Sequence, residues 1–225
     1  MNNFIILSEK KWHQSLFEKL KDEFPLDNWF LIDSKENFNE FILEEINPLK
    51  VFIPHWSHYI PKKIYCNYDC VVFHMTDLPF GRGGSPLQNL IIRGFTETKI
   101  TAIKVIEDID AGPIYCKEVL DLSGKASEIF IRSSKIIRKM IRLIIEKQHI
   151  PYEQYGEVVH FKRRKPSDSN ISELNNLSEI YDYIRMLDAE GYPPAFINMN
   201  KFKIEFFNSQ IENNTITANV RIIQK

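Results

Sequence analysis

Hydrophobic positions in the first hundred residues fall into short bursts separated by amphipathic stretches. Phe4-Ile5-Ile6-Leu7 predicts a strand, and Trp12, Leu16, Leu20 and Phe24 then recur every fourth residue, which puts them on one face of a helix. Trp29-Phe30-Leu31-Ile32 predicts a second strand, Phe38, Phe41, Ile42 and Ile46 a second helix, and Val51-Phe52-Ile53 a third strand. Beyond the loop His55-Trp56-Ser57-His58 and the basic pair Lys62-Lys63, Cys70-Val71-Val72-Phe73 is apolar throughout, as a strand buried on both faces should be. Strands and helices alternating at these lengths build a parallel sheet through right-handed crossovers. The expected fold class is therefore α/β, a Rossmann-like, mostly parallel sheet flanked by helices. The residues after the first strand, Leu7-Ser8-Glu9-Lys10, include no glycine to let a pyrophosphate approach, so dinucleotide binding there is disfavoured.

Past His74 the glycines cluster, Gly81, Gly83 and Gly84 being three of the chain's eight. Ser85-Pro86 reads as the N-cap and first turn of a helix reaching about Gly94. Thr98 to Ile106 and Ile114 to Leu120 predict strands around the turn Asp108-Ile109-Asp110-Ala111-Gly112-Pro113, and Ala126 to Lys147 a long helix with Ile129, Ile136, Ile137, Met140 and Ile144 on one face. From Pro151 the texture changes. Lys162-Arg163-Arg164-Lys165-Pro166-Ser167-Asp168-Ser169 is loop-like, Leu174 to Leu187 predicts a helix, and Phe202 to Phe207 with Thr215 to Ile223 predict a hairpin. The expected division is a main domain over 1–150 and a small C-terminal α+β appendage over 151–225, a helix and a two-stranded hairpin.

Charge narrows the partners. With 29 basic and 30 acidic residues the net charge is -1, so no whole-molecule field attracts nucleic acid or an anionic membrane, and neither is expected as a partner. From Pro151 onward nine Lys and Arg face ten Asp and Glu, which again predicts no attraction for RNA. No apolar run approaches the ~20 residues of a spanning helix, and Met1-Asn2-Asn3 opens straight into the first apolar burst, so the chain is expected to be cytoplasmic and unprocessed. Cys66 and Cys70 lack the spacing of a metal knuckle and read as buried thiols, with no metal expected.

The chemistry-bearing stretch is His74-Met75-Thr76-Asp77-Leu78-Pro79-Phe80-Gly81-Arg82-Gly83-Gly84-Ser85-Pro86, followed thirty-six residues after His74 by Asp110 in its Gly-Pro turn. A lone histidine at a strand end is more often structural than catalytic. The His-x-x-x-Leu-Pro-x-x-Arg-Gly run, the spacing and the Asp-x-Gly-Pro-Ile turn nevertheless resemble the formyltransferases that use N10-formyltetrahydrofolate, over about Val51 to Val119. The Arg163-Arg164-x-Pro-Ser-Asp-Ser segment and the helix ending before Tyr192-Pro193 look like the tail of that family's sugar N-formyltransferases. The Gly83-to-Leu90 run is more similar to the pseudaminic acid pathway enzymes and the formylation domain of the linear gramicidin synthetase than to the transfer-RNA enzyme.

The resemblance implies the formyltransferase fold, N10-formyltetrahydrofolate as co-substrate, and acyl transfer through a tetrahedral oxyanion. It implies His74 as proton shuttle or oxyanion stabiliser, Asp110 as its orienting carboxylate, and a folate cradle from Leu78, Pro79, Arg82, Gly83, Asp108, Ile109 and Gly112. Arg82 reads equally as a residue that fixes its loop. His55 and Trp56 suit a base or sugar platform, or packing under the fourth strand. The family's asparagine two residues before the histidine is here Val72, and Asn67, Thr76 or Asn89 would have to supply the missing donor; Thr76 and Asn89 are taken as substrate-binding. The expected acceptor is the 4-amino group of a UDP-linked 4-amino-4,6-dideoxy sugar of the pseudaminic acid type, bound for a surface glycan. The alternative is a module that formylates a carrier-bound aminoacyl group, or a folate-binding protein without activity. A homodimer is compatible with all of these.

Overall fold

The computed structural model describes residues 1–147 and 150–225. In chain order the elements are β1 (Asn3–Leu7), α1 (Gln14–Glu23), β2 (Asn28–Ile32), α2 (Glu40–Ile46), β3 (Lys50–Pro54), α3 (Lys62–Asn67), β4 (Cys70–His74), β5 (Phe80–Gly83), α4 (Pro86–Ile91), β6 (Glu97–Lys104), β7 (Ile114–Asp121), α5 (Ala126–Lys147), β8 (Val159–Phe161), α6 (Leu177–Arg185), β9 (Ala195–Met199), β10 (Phe202–Glu212) and β11 (Thr215–Gln224). The chain forms two compact units, each assembled from separate stretches: 1–83, 99–120 and 131–160 in the first, and 84–98, 121–130 and 161–225 in the second.

The first unit is built on a six-stranded sheet of order β2-β1-β3-β4-β6-β7. The β1–β2, β1–β3 and β3–β4 ladders are parallel and β4–β6 is antiparallel, so the sheet is mixed beyond β4. Its apolar bursts are what two covered faces demand: Ile5, Ile6, Leu7, Val51, Phe52, Ile53 and Val71 are all fully buried. α2 begins where the Asn39 side chain accepts the Ile42 N–H and ends at Asn47 in the left-handed conformation. The helix predicted from Ala126 to Lys147 has those bounds, and Ile129, Ile137, Met140 and Ile144 form its buried stripe.

The second unit contains a three-stranded antiparallel sheet, β11-β10-β9, and α6, capped by the Asn176 side chain on Ser178 N and Glu179 N. β9 is a third strand beside the predicted hairpin. β10 carries a register shift between Phe207 and Gln210, with Asn208 at φ 48, which lets a strand of 11 residues bend. Three local expectations change. Ser85 holds the N-cap position ahead of Pro86 but its side chain caps nothing: it sits at φ 53 and its hydroxyl accepts the Arg164 N–H, while α4 ends at Ile91. The run before it is not all loop, because β5 pairs with the distant β8, which no local pattern announces. Cys66 is exposed rather than buried, since α3 turns Ile64 inward and Cys66 out.

Candidate active site

His74 is the last residue of β4, where an open α/β sheet exposes its ligand-facing edge. Its Nε2 lies 2.8 Å from the carbonyl oxygen of Gly81. A carbonyl only accepts, so Nε2 carries the hydrogen and Nδ1 is left to take up a second proton. Nδ1 faces Asp110 Oδ1 at 3.5 Å, and the two side chains are only 8% and 12% exposed. The other carboxylate oxygen of Asp110, Oδ2, accepts the N–H of Gly83 at 2.8 Å.

Asp110 occupies the left-handed region at φ 54, which costs a non-glycine residue ~1–2 kcal/mol and must be held by its surroundings. Part of that hold is Gly112: a Cβ there would stand 1.8 Å from the Lys104 carbonyl oxygen, so only glycine lets the turn lie against the end of β6. Asp108 and Ile109, just before the pair, are exposed, and Ile109 is an apolar side chain left 67% open to solvent.

The remaining residues predicted from sequence are placed as follows. Leu78 is buried, its N–H donating to Thr101 Oγ1 and its carbonyl accepting Lys117 Nζ. Pro79 follows it through a cis peptide bond, and its carbonyl accepts the Val159 N–H. Arg82 spends its guanidinium on the Gln154 side chain, the loop-fixing role of its two readings. Thr76 is buried, with its hydroxyl donating to the same Gly81 carbonyl that His74 uses. His55, at φ 54, packs edge-on to Trp12 with centroids 5.4 Å apart. Trp56 packs edge-on to Phe38 and His58 beside the first unit's core. Asn89 belongs to the second unit, where its amide donates to the carbonyls of Gly84, Ser85 and Lys162. Asn67 is exposed and donates to Lys63 O. Val72 joins the cluster of Leu78, Ile103 and Ile114. The structure therefore brings His74, Asp110 and Gly83 together, with Thr76 on the carbonyl that His74 shares. Sequence reasoning missed Gln154 and Lys117, polar residues with no local mark.

Asp77, beside the Leu78-Pro79 bond, is bridged by Lys117 and Lys99. Burial alone would raise its carboxyl, but the two ammonium groups outweigh that and hold it below the usual range. Among the described residues, no group of three or more His, Cys, Asp or Glu is arranged to hold a metal ion, and no helix is long and apolar enough to cross a membrane.

Set beside known proteins, the chain falls among the formyltransferases. It is 50% identical to the methionyl-tRNA formyltransferase from Clostridium thermocellum, with a TM-score of 0.98 and 100% of each chain covered. It is 31% identical to the methionyl-tRNA formyltransferase of Campylobacter lari over 76% of this chain and 59% of that one. The chain belongs to the methionyl-tRNA formyltransferase family. A model of the methionyl-tRNA formyltransferase C-terminal domain matches residues 166–223. The chain spans 56–64% of the length of the first three curated relatives it matches.

These likenesses overturn the sugar assignment. A sugar N-formyltransferase from Shewanella, at 17% identity and a TM-score of 0.69 over 95% of this chain and 99% of that one, shows a shared fold alone. The nucleotide-linked amino sugar, the pseudaminic acid pathway and the surface glycan are withdrawn as substrate and setting, as is the exclusion of nucleic acid. The motif block from His74 to Leu90 did not discriminate between acceptors. The charge count failed for a second reason: it averages over residues that the fold separates. Lys162, Arg163 and Lys165 are exposed and, among the described residues, in no ion pair, a local cluster that a net count over the tail hides.

Proposed function

We propose that this chain transfers the formyl group of N10-formyltetrahydrofolate to the α-amino group of methionine esterified to a tRNA, in the cytoplasm. The observation that carries the reading is the 50% identity over the full length of both chains to a protein described as a methionyl-tRNA formyltransferase. The neutral amine attacks the formyl carbon, a tetrahedral oxyanion forms, and N10 departs as a proton is delivered. His74 acts as an imidazolium whose Nδ1–H is supported by Asp110: it gives Nε2–H to the departing N10, exchanging its bond to Gly81 O for one to the reacting atoms, and recovers the proton that the attacking amine loses. Leu78, Pro79, Gly83 and the turn from Asp108 to Gly112 would hold the folate through their peptide groups. In the second unit, Lys162, Arg163 and Lys165 form an exposed cationic strip suited to the phosphates of an acceptor arm.

The test is direct. Purified protein incubated with N10-formyltetrahydrofolate and methionyl-tRNA should yield formylmethionyl-tRNA that survives until the ester is hydrolysed. Turnover of free methionine at the same rate, or none with methionyl-tRNA, would defeat the reading.

A further inference from the structure

Gln154 lies in a segment, after α5 and before β8, to which neither the sequence pattern nor the chemistry above gives a task. Its side-chain amide uses both ends. Oε1 accepts from Arg82 Nε at 3.1 Å and from Arg82 Nη2 at 2.7 Å, while Nε2 donates to the carbonyl oxygens of Asp110 and Gly112, each at 2.9 Å. Two lone pairs meet two donors and two hydrogens meet two acceptors, so the amide is saturated. Its orientation is forced as well. Flipping it would set NH₂ against guanidinium N–H groups and a carbonyl oxygen against two carbonyls.

The bonds close a ring around the strained residue. Asp110 Oδ2 is held by Gly83 N–H, Gly83 is peptide-bonded to Arg82, the Arg82 guanidinium is held by Gln154, and Gln154 returns to the Asp110 carbonyl. Gln154 itself is held in place, because two residues earlier Tyr152 exchanges both backbone bonds with Ile114, at 2.7 and 3.0 Å. Asp110 is thus gripped at its carboxylate from one side and at its backbone from the other. Without the backbone grip, the Gly83 bond, the imidazole and the packing of Gly112 on the end of β6 would be left to oppose relaxation out of φ 54.

We propose that Gln154 is a positioning residue, whose amide clasps the Asp110 turn to Arg82 on β5 and thereby sets the carboxylate of Asp110 against His74. The proposal rests on the reading of His74 and Asp110 as the proton-handling pair, and its test keeps the two apart.

The variants are Gln154→Ala, which removes every bond, and Gln154→Glu, which is isosteric, keeps the Arg82 bonds and loses both carbonyl bonds. Each should lower kcat for methionyl-tRNA formylation at least 10-fold with KM for the tRNA within threefold, and hydrogen exchange at the Gly83 amide should rise at least 10-fold while β3 amides stay protected. A merely structural filler would be rescued by Gln154→Glu. Wild-type kcat in either folded variant overturns the positioning role, and unchanged Gly83 exchange in both overturns the clasp whatever the kinetics. If the wild-type protein fails to formylate methionyl-tRNA, the functional reading falls, and the exchange measurement still decides whether the clasp exists.

Discussion

The two units each bury a carboxylate, and they hold it in opposite ways. In the second unit, Glu205 on β10 accepts Lys203 Nζ at 2.9 Å and Arg221 Nε and Nη2 at 2.9 and 2.5 Å. Burial would raise its carboxyl, but these cations outweigh burial and keep it below the usual range. In the first unit, Asp110 meets one backbone N–H and an imidazole at 3.5 Å, and among the described residues no Lys or Arg side chain pairs with it. A carboxylate fixed by two full charges has nothing left to exchange and belongs to the fold. One held by a weakly basic ring can trade its partner's proton, which is what group transfer needs.

The strongest test of that contrast exchanges the consequences. Asp110→Asn and His74→Ala should lower kcat at least ~10²-fold, as loss of a proton shuttle or its support does, with little change in melting temperature. Glu205→Gln should do the reverse, costing about 1.5–3 kcal/mol by leaving two cations short of their acceptor, with kcat intact below the melting transition. The comparison breaks if Asp110→Asn lowers the melting temperature while leaving kcat unchanged, or if Glu205→Gln is neutral in a denaturant titration.

The same contrast explains what could be read in the sequence. β1 to β4 are legible because burial on both faces leaves an unbroken apolar run, and α5 because its stripe persists for 22 residues. The Asp110 turn is legible because Gly112 and Pro113 mark a tight bend, and the close approach of Lys104 shows why the glycine is needed. β5 is hidden: Phe80-Gly81-Arg82-Gly83 has the composition of a loop and becomes a strand only through β8. β9 is hidden behind Pro193-Pro194, and its pairing with β10 is what gives Ala195–Met199 a strand's role. Gln154 carries no signal at all, since its partners lie 42 to 72 residues away. The acceptor was misread because net charge averages over the tail and hides the local exposed cluster of Lys162, Arg163 and Lys165.

Acid should separate the units in order. In the first, His13 and His55 are pressed down from 6.5 to about 3, by burial first and then by nearby positive charge, His55 and Lys10 for His13 and Lys10 for His55. A folded pKa below the unfolded one means the unfolded chain binds more protons. This contribution is intact above about 6.5 and is lost as pH falls toward 3, at ~1.4 kcal/mol per pH unit for each histidine. The depressed carboxyl of Glu205 also loses its contribution on acidification, but only as pH falls through and below the ordinary carboxyl value of 4.5. Trp12, Trp29 and Trp56 all lie in the first unit, so tryptophan fluorescence in urea reports it selectively. Its midpoint should fall between pH 6.5 and 5, and His13→Gln, which can still bond the Ser134 hydroxyl, should flatten that slope. A flat wild-type midpoint over this range would mean that these histidines are not held neutral.

The smallest expected effect concerns the exposed strip. If Lys162, Arg163 and Lys165 meet phosphate, each change to Ala should weaken methionyl-tRNA binding only a few-fold, because each removes one screened charge among several. The salt dependence is the sharper readout: each cation taken off a phosphate should reduce the slope of log K against log salt by ~0.7–0.9, and the triple variant by about three times that. Formyl transfer at saturating tRNA should be unchanged, which distinguishes a binding strip from the proton-handling pair of the first unit. Arg164 provides the internal control, since its guanidinium already lies 5.1 Å from the Tyr183 ring centroid and is bonded to the Asp168 carbonyl. Replacing it should lower stability and leave the salt slope alone. An unchanged slope in the triple variant would restore the force of the balanced charge count, and tRNA binding would then have to be carried by another face of the molecule.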